Sequence, residues 1–83
     1  MYISVDISLY PLSEDYARLV KDFIRRIEDV EGTHVVKTTL TTQIFGEFHT
    51  IMSLLEAEMK TTFEQLPNSI FTLKIVGNDR RPQ

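Results

Sequence analysis

The chain has no cysteine and no tryptophan, only three glycines and three prolines, and no long apolar run. Without cysteine there is no disulfide framework, no thiolate nucleophile and no zinc knuckle. No stretch approaches the roughly 20 apolar residues that a membrane span requires. The first residues read directly as a strand, with no charged segment leading into the apolar core of a secretory signal. Charge is not blocked either: 9 Lys and Arg stand against 12 Asp and Glu, for a net charge of −3. Arg25 and Arg26 lie beside Asp22, Glu28 and Asp29, while Arg80 and Arg81 fall in a tail. Neither pair belongs to the basic stripe that a nucleic-acid backbone demands. A glycine-rich phosphate loop is also missing. The expectation is a cytoplasmic protein with no nucleic-acid partner, no membrane insertion and no cofactor.

What is present suits one small two-layer domain. The 83 residues are 42% hydrophobic and 25% charged, close to globular averages. Tyr2 to Tyr10 alternate without error, Ile3, Val5, Ile7 and Leu9 on one side and Tyr2, Ser4, Asp6, Ser8 and Tyr10 on the other. Pro11 closes that strand, and Ser13 is placed to cap a helix with Glu14 and Asp15 in its first turn. Tyr16, Leu19, Val20, Phe23, Ile24, Ile27 and Val30 recur at helical spacing, until Gly32 supplies a left-handed end. His34 to Thr39 and Thr41 to Phe45 read as two strands joined tightly near Leu40. Gly46 ends the second, and Glu47 can cap a helix whose stripe is Phe48, Ile51, Met52, Leu55, Met59, Phe63 and Leu66. Pro67 and Asn68 stop that helix, and Ser69 to Val76 form a last strand.

The order strand, helix, strand, strand, helix, strand predicts an α+β ferredoxin-like sandwich, a four-stranded antiparallel sheet with both helices on one face. Residues 1–78 form the domain and residues 79–83 a polar tail, with the first and last strands expected side by side in the middle of the sheet. The face turned away from the helices carries the functional information. There Ser4, Asp6, Ser8, Gln43, Thr72 and Lys74 offer hydrogen bonds and charge, and Tyr10 and Phe45 offer aromatic area beside Tyr2, Ile70 and Val76. These first eight are the candidate ligand-binding residues. An Asp6–Lys74 pair on an exposed sheet is by itself an ordinary cross-strand contact. The aromatic and aliphatic residues around it call for a cover, a second subunit or a ligand, and a pocket between subunits meets both demands. Self-association is the expectation.

Catalytic groups are thin. His34 and His49 lack metal-ligand spacing, and Glu56 and Glu58, two apart on a helix, cannot flank one bond. No catalytic or metal-binding residue is assigned.

Two segments, Ile7-Ser8-Leu9-Tyr10-Pro11-Leu12 and Thr42-Gln43-Ile44-Phe45-Gly46-Glu47, carry a resemblance. The first matches a strand ending in Ser-x-Tyr-Pro-Leu, the second a strand reading Thr-x-x-x-Gly before a helix. Both resemble the thiamine-binding family related to YkoF, and the likeness runs over essentially the whole chain. Where many single-unit relatives carry Glu before the motif glycine, this chain has Phe45. The resemblance implies a ferredoxin-like fold, assembly into dimers or tetramers, and a small-molecule ligand, thiamine or its hydroxymethylpyrimidine moiety, bound without catalysis. Two other classes share the element order. One is a regulatory module that senses a ligand and acts on a partner protein; the other is a cofactor-free α+β barrel monooxygenase.

Overall fold

A computed structural model describes residues 1–82, with β1 at Tyr2–Tyr10, α1 at Tyr16–Glu28, β2 at Thr33–Lys37, β3 at Thr42–Glu47, α2 at Phe48–Gln65 and β4 at Ile70–Val76. The four strands form one antiparallel-paired sheet in the order β2-β3-β1-β4. The ferredoxin-like sandwich is therefore present, with one correction to the expected order. β1 and β4 are neighbours, but β4 is an edge strand and the middle pair is β1 and β3. Each β-α-β crossover leaves a gap one strand wide. β3 fills the gap between β1 and β2, and β1 fills the gap between β3 and β4.

The faultless alternation of β1 is what seats the core. Ile3, Val5, Ile7 and Leu9 are buried against Phe23 and Ile27 of α1 and Ile51 and Leu55 of α2, with Ile44 of β3 between them. Phe71 extends this cluster to β4, its ring 5.1 Å from Phe23 and 5.4 Å from Phe63. Leu73 and Ile75, on the same face, stay partly uncovered beside α2. Arg26 joins the two helices. Its guanidinium donates to Thr62 Oγ1 at 2.9 Å, lies 3.4 Å from Glu58 Oε1, and stands over the Phe23 ring.

Local chemistry explains the element ends, including those the periodicity misplaces. Tyr16 is exposed, outside the buried stripe, because the helix begins there; Ser13 lies in the preceding turn and accepts from the Asp15 amide at 3.2 Å. β2 stops at Lys37 because Thr38 makes the turn. Its Oγ1 accepts from the amides of Leu40 and Thr41 at 3.2 and 3.1 Å, a hydroxyl-built turn that needs no Asn-Gly pair. Glu47 does cap α2, accepting from the His49 amide at 2.8 Å. Gly32 has a φ of +86°, as its place after α1 demands. Leu12, in the Tyr-Pro-Leu run, has a φ of +54°, a left-handed conformation that an exposed leucine adopts at a cost of about 1–2 kcal/mol.

Gly46 is the glycine the packing cannot replace. A Cβ there would sit 2.8 Å from the Gly32 carbonyl oxygen and 3.3 Å from Ile51 Cδ1. At Gly77 the nearest atom is the flexible end of Met1, at 3.4 Å. No helix among the described residues is long and apolar enough to cross a membrane.

Two outcomes follow in urea unfolding. Gly46→Ala is expected to lower stability by about 1–3 kcal/mol, as overpacking against backbone does, while Gly77→Ala stays within about 0.5 kcal/mol. Leu55→Ala, which empties space between α2 and the sheet, is expected to cost about 2–5 kcal/mol.

Candidate functional site

The open face is set by register. Asp6 lies opposite Gln43 on β3 and opposite Lys74 on β4, and Ser4 lies opposite Phe45 and Val76. Because β1 is central, its outward side chains have neighbours on both flanks, and the polar groups of three strands converge around Asp6. A further layer comes from the chain beyond β4. After Gly77 the backbone turns back over the sheet, where Ser4 Oγ donates to the Asn78 carbonyl at 2.7 Å and accepts from the Arg80 amide at 2.7 Å. Ser4, a polar residue in mid-strand, is thereby almost fully covered.

Sheet and returning segment enclose an open cavity of about 250 Å³. Ser4, Asp6, Gln43 and Phe45 form its floor side, with Lys74, Val76 and Arg80 across from them. Thr41 Oγ1 donates to one Asp6 carboxylate oxygen at 2.5 Å, fixing that side chain. Lys74, directly across in register, makes no ion pair with Asp6, whose partner is this hydroxyl instead.

Of the eight candidates from the sequence, the structure brings Ser4, Asp6, Gln43, Phe45 and Lys74 to this cavity and leaves Ser8, Tyr10 and Thr72 outside it. Ser8 and Thr72 are paired one step along the strands, and Tyr10 pairs with Ile70 at the end. Four residues of strand separate Tyr10 from Asp6, roughly 13 Å at the usual rise, so its ring cannot stack on a ligand held at Asp6. Ser8 and Tyr10 border a smaller hollow of about 170 Å³ beside the β2–β3 turn. Phe45 also departs from expectation. It is 3% exposed, not an open stacking platform; it lies between Ser4 and His34 in the ladder, with the His34 ring 6.2 Å from its own. Arg80 is the residue that sequence reading left in the tail. The signal for it was Gly77-Asn78, a turn pair directly after a strand.

A larger groove of about 470 Å³ runs between α2 and β4, lined by Met52, Leu55, Met59, Phe63, Leu73 and Ile75 with charged groups only at its rim. It lacks convergent polar anchors of the kind that orient a small ligand, which the sheet-face cavity has. Among the described residues no three His, Cys, Asp or Glu side chains gather in a metal-holding group.

Comparison with known proteins fits this picture. No curated protein matches the chain. Among solved structures, a Streptococcus pneumoniae protein superposes with a TM-score of 0.85 at 22% identity, covering 96% of this chain and 90% of its own. A Thermotoga maritima protein provisionally assigned to thiamine biosynthesis or salvage gives 0.83 at 19% identity, covering 94% and 85%. A Methanocaldococcus jannascii protein gives 0.79 at 17%, covering 98% and 84%. At these identities the likeness is one of fold. The sequence pattern of the YKOF-related family, in contrast, matches residues 3–78, nearly the whole sandwich and both of its motif strands. The chain belongs to the YKOF-related family.

Proposed function

We propose that the protein is a cytoplasmic, non-enzymatic binder of an aminopyrimidine, thiamine or its hydroxymethylpyrimidine moiety. The observation that carries this reading is the pairing of Gln43 with Asp6 on the floor of the sheet-face cavity. A carboxamide presents a donor and an acceptor side by side, the arrangement that pairs bidentately with a ring nitrogen next to an exocyclic amino group. Asp6, with one oxygen held by Thr41, keeps a second oxygen for the amino group. Family membership and the Thermotoga maritima relative of similar fold support the same ligand class.

The open cavity, of about 250 Å³, gives one substituted ring contact with Asp6 and Gln43 and leaves the rest of a larger ligand toward solvent. Nothing around it assembles a nucleophile with a base and an orienting group.

The exposed face also supports self-association. Tyr2, Tyr10, Ile70 and Val76 are each about half exposed, and β4 is an edge strand with an unpaired side. A dimer or tetramer would cover them.

Calorimetric titration with thiamine and with hydroxymethylpyrimidine is expected to give saturable heat, weakened about tenfold or more by Gln43→Ala. Absence of both heat and thermal shift at millimolar ligand rejects the reading. Sedimentation equilibrium is expected to return a mass two or four times 9.7 kDa; a monomer at all concentrations contradicts self-association.

A further inference from the structure

The cavity that would take the pyrimidine holds two cations, Lys74 and Arg80, against a single carboxylate, Asp6. Five of the nine Lys and Arg residues, Arg18, Arg25, Arg26, Lys37 and Arg81, have a carboxylate within ion-pair distance. Among the described residues Lys21, Lys60, Lys74 and Arg80 have none. Lys21 projects from the outer face of α1, and Lys60 stands at the rim of the α2–β4 groove beside Glu56 and Glu64. Lys74 and Arg80 share the sheet-face cavity.

Asp6 is the acidic residue lining the cavity, and it forms no ion pair with either cation among the described residues, while Asp79, beside Arg80 in the chain, is paired with Arg81. Asp6 faces Lys74 across the β1–β4 ladder, yet its carboxylate is engaged by the Thr41 hydroxyl. Two cations against one hydrogen-bonded carboxylate leave the cavity locally positive in a chain whose net charge is −3. Arg80 is also placed rather than loose at its backbone, since its amide is fastened to Ser4 Oγ at 2.7 Å and the preceding turn to the same hydroxyl. The covered hydroxyl of Ser4 thus serves to bring an arginine to the wall opposite Gln43.

Resting on the aminopyrimidine reading, we infer that Lys74 and Arg80 form an anion subsite for a phosphate ester carried by the ligand. Lysine supplies a compact charge, and the guanidinium a planar fork that meets two phosphate oxygens at once. The same pair disfavours a thiazolium cation at this spot. A pyrimidine ring bearing a phosphorylated hydroxymethyl arm matches the charge of the cavity.

The test compares hydroxymethylpyrimidine with its monophosphate on the full chain by calorimetry. The monophosphate is expected to bind at least about tenfold more tightly at low salt, with the preference shrinking as ionic strength rises. In the Lys74→Ala/Arg80→Ala variant, in which both replaced side chains are exposed, the ratio of the two affinities is expected to fall to near one. Equal affinities in the unaltered protein, or a preference that survives the double substitution, overturn the subsite and leave pyrimidine binding standing. Inorganic phosphate alone binding as tightly as the ester overturns it too, in favour of a free-anion site. Binding of neither pyrimidine rejects the ligand class and the subsite together.

Discussion

The pairing register of β1 with both of its neighbours is the constraint on which the rest depends. Side chains along a strand alternate strictly, so slipping β1 by one residue would send Ile3, Val5, Ile7 and Leu9 to the open face and Ser4, Asp6 and Ser8 into the core. Burial of those four apolar side chains under α1 and α2 forbids the slip. The same register brings Gln43 and Lys74 to Asp6 from opposite flanks. Core stability and site geometry are two consequences of one set of hydrogen-bonded ladders. Gly46 belongs to this constraint, because only a residue without a side chain lets β3, the Gly32 turn and Ile51 approach as closely as the ladder requires.

The chain after β4 converts a flat sheet into a concave site. A hydroxyl buried in mid-strand is costly unless it is bonded, and Ser4 satisfies both its donor and its acceptor on the backbone of the returning segment. That exchange covers Ser4 and positions Arg80 at the cavity. The segment therefore acts as a fifth element of the open face, although it is neither helix nor strand.

Much of this was legible in the sequence wherever one period dominated. β1, α2 with its Glu47 cap, and the helix-facing stripe of Phe23, Ile27, Ile51 and Leu55 follow from apolar spacing alone. The boundary at the β2–β3 turn did not, because it is set by the hydroxyl of Thr38, which periodicity does not record, and the start of α1 falls after Asp15, which makes no side-chain cap bond, rather than after the expected cap Ser13. Face parity identified Ser4, Asp6, Gln43 and Lys74 as outward-facing. It could not say how far apart they lie along the strands, so Ser8, Tyr10 and Thr72 were grouped with residues of a different part of the sheet. Arg80 was harder for another reason: Gly77-Asn78 signals that the chain turns, but where it then docks depends on a tertiary hydrogen bond to Ser4 near the other end of the chain.

The account also assigns different work to the two concave regions. The α2–β4 groove is large and mainly apolar, with its charged residues Glu56, Lys60 and Glu64 all on α2, whereas the sheet-face cavity is small and draws donors, acceptors and charge from three strands and the segment after β4. The most direct test of that division is residue-resolved mapping of amide chemical shifts during titration with hydroxymethylpyrimidine. The account predicts saturable changes centred on Ser4, Asp6, Gln43, Lys74 and Arg80. Changes confined to Met59, Phe63, Leu73 and Ile75 would contradict it.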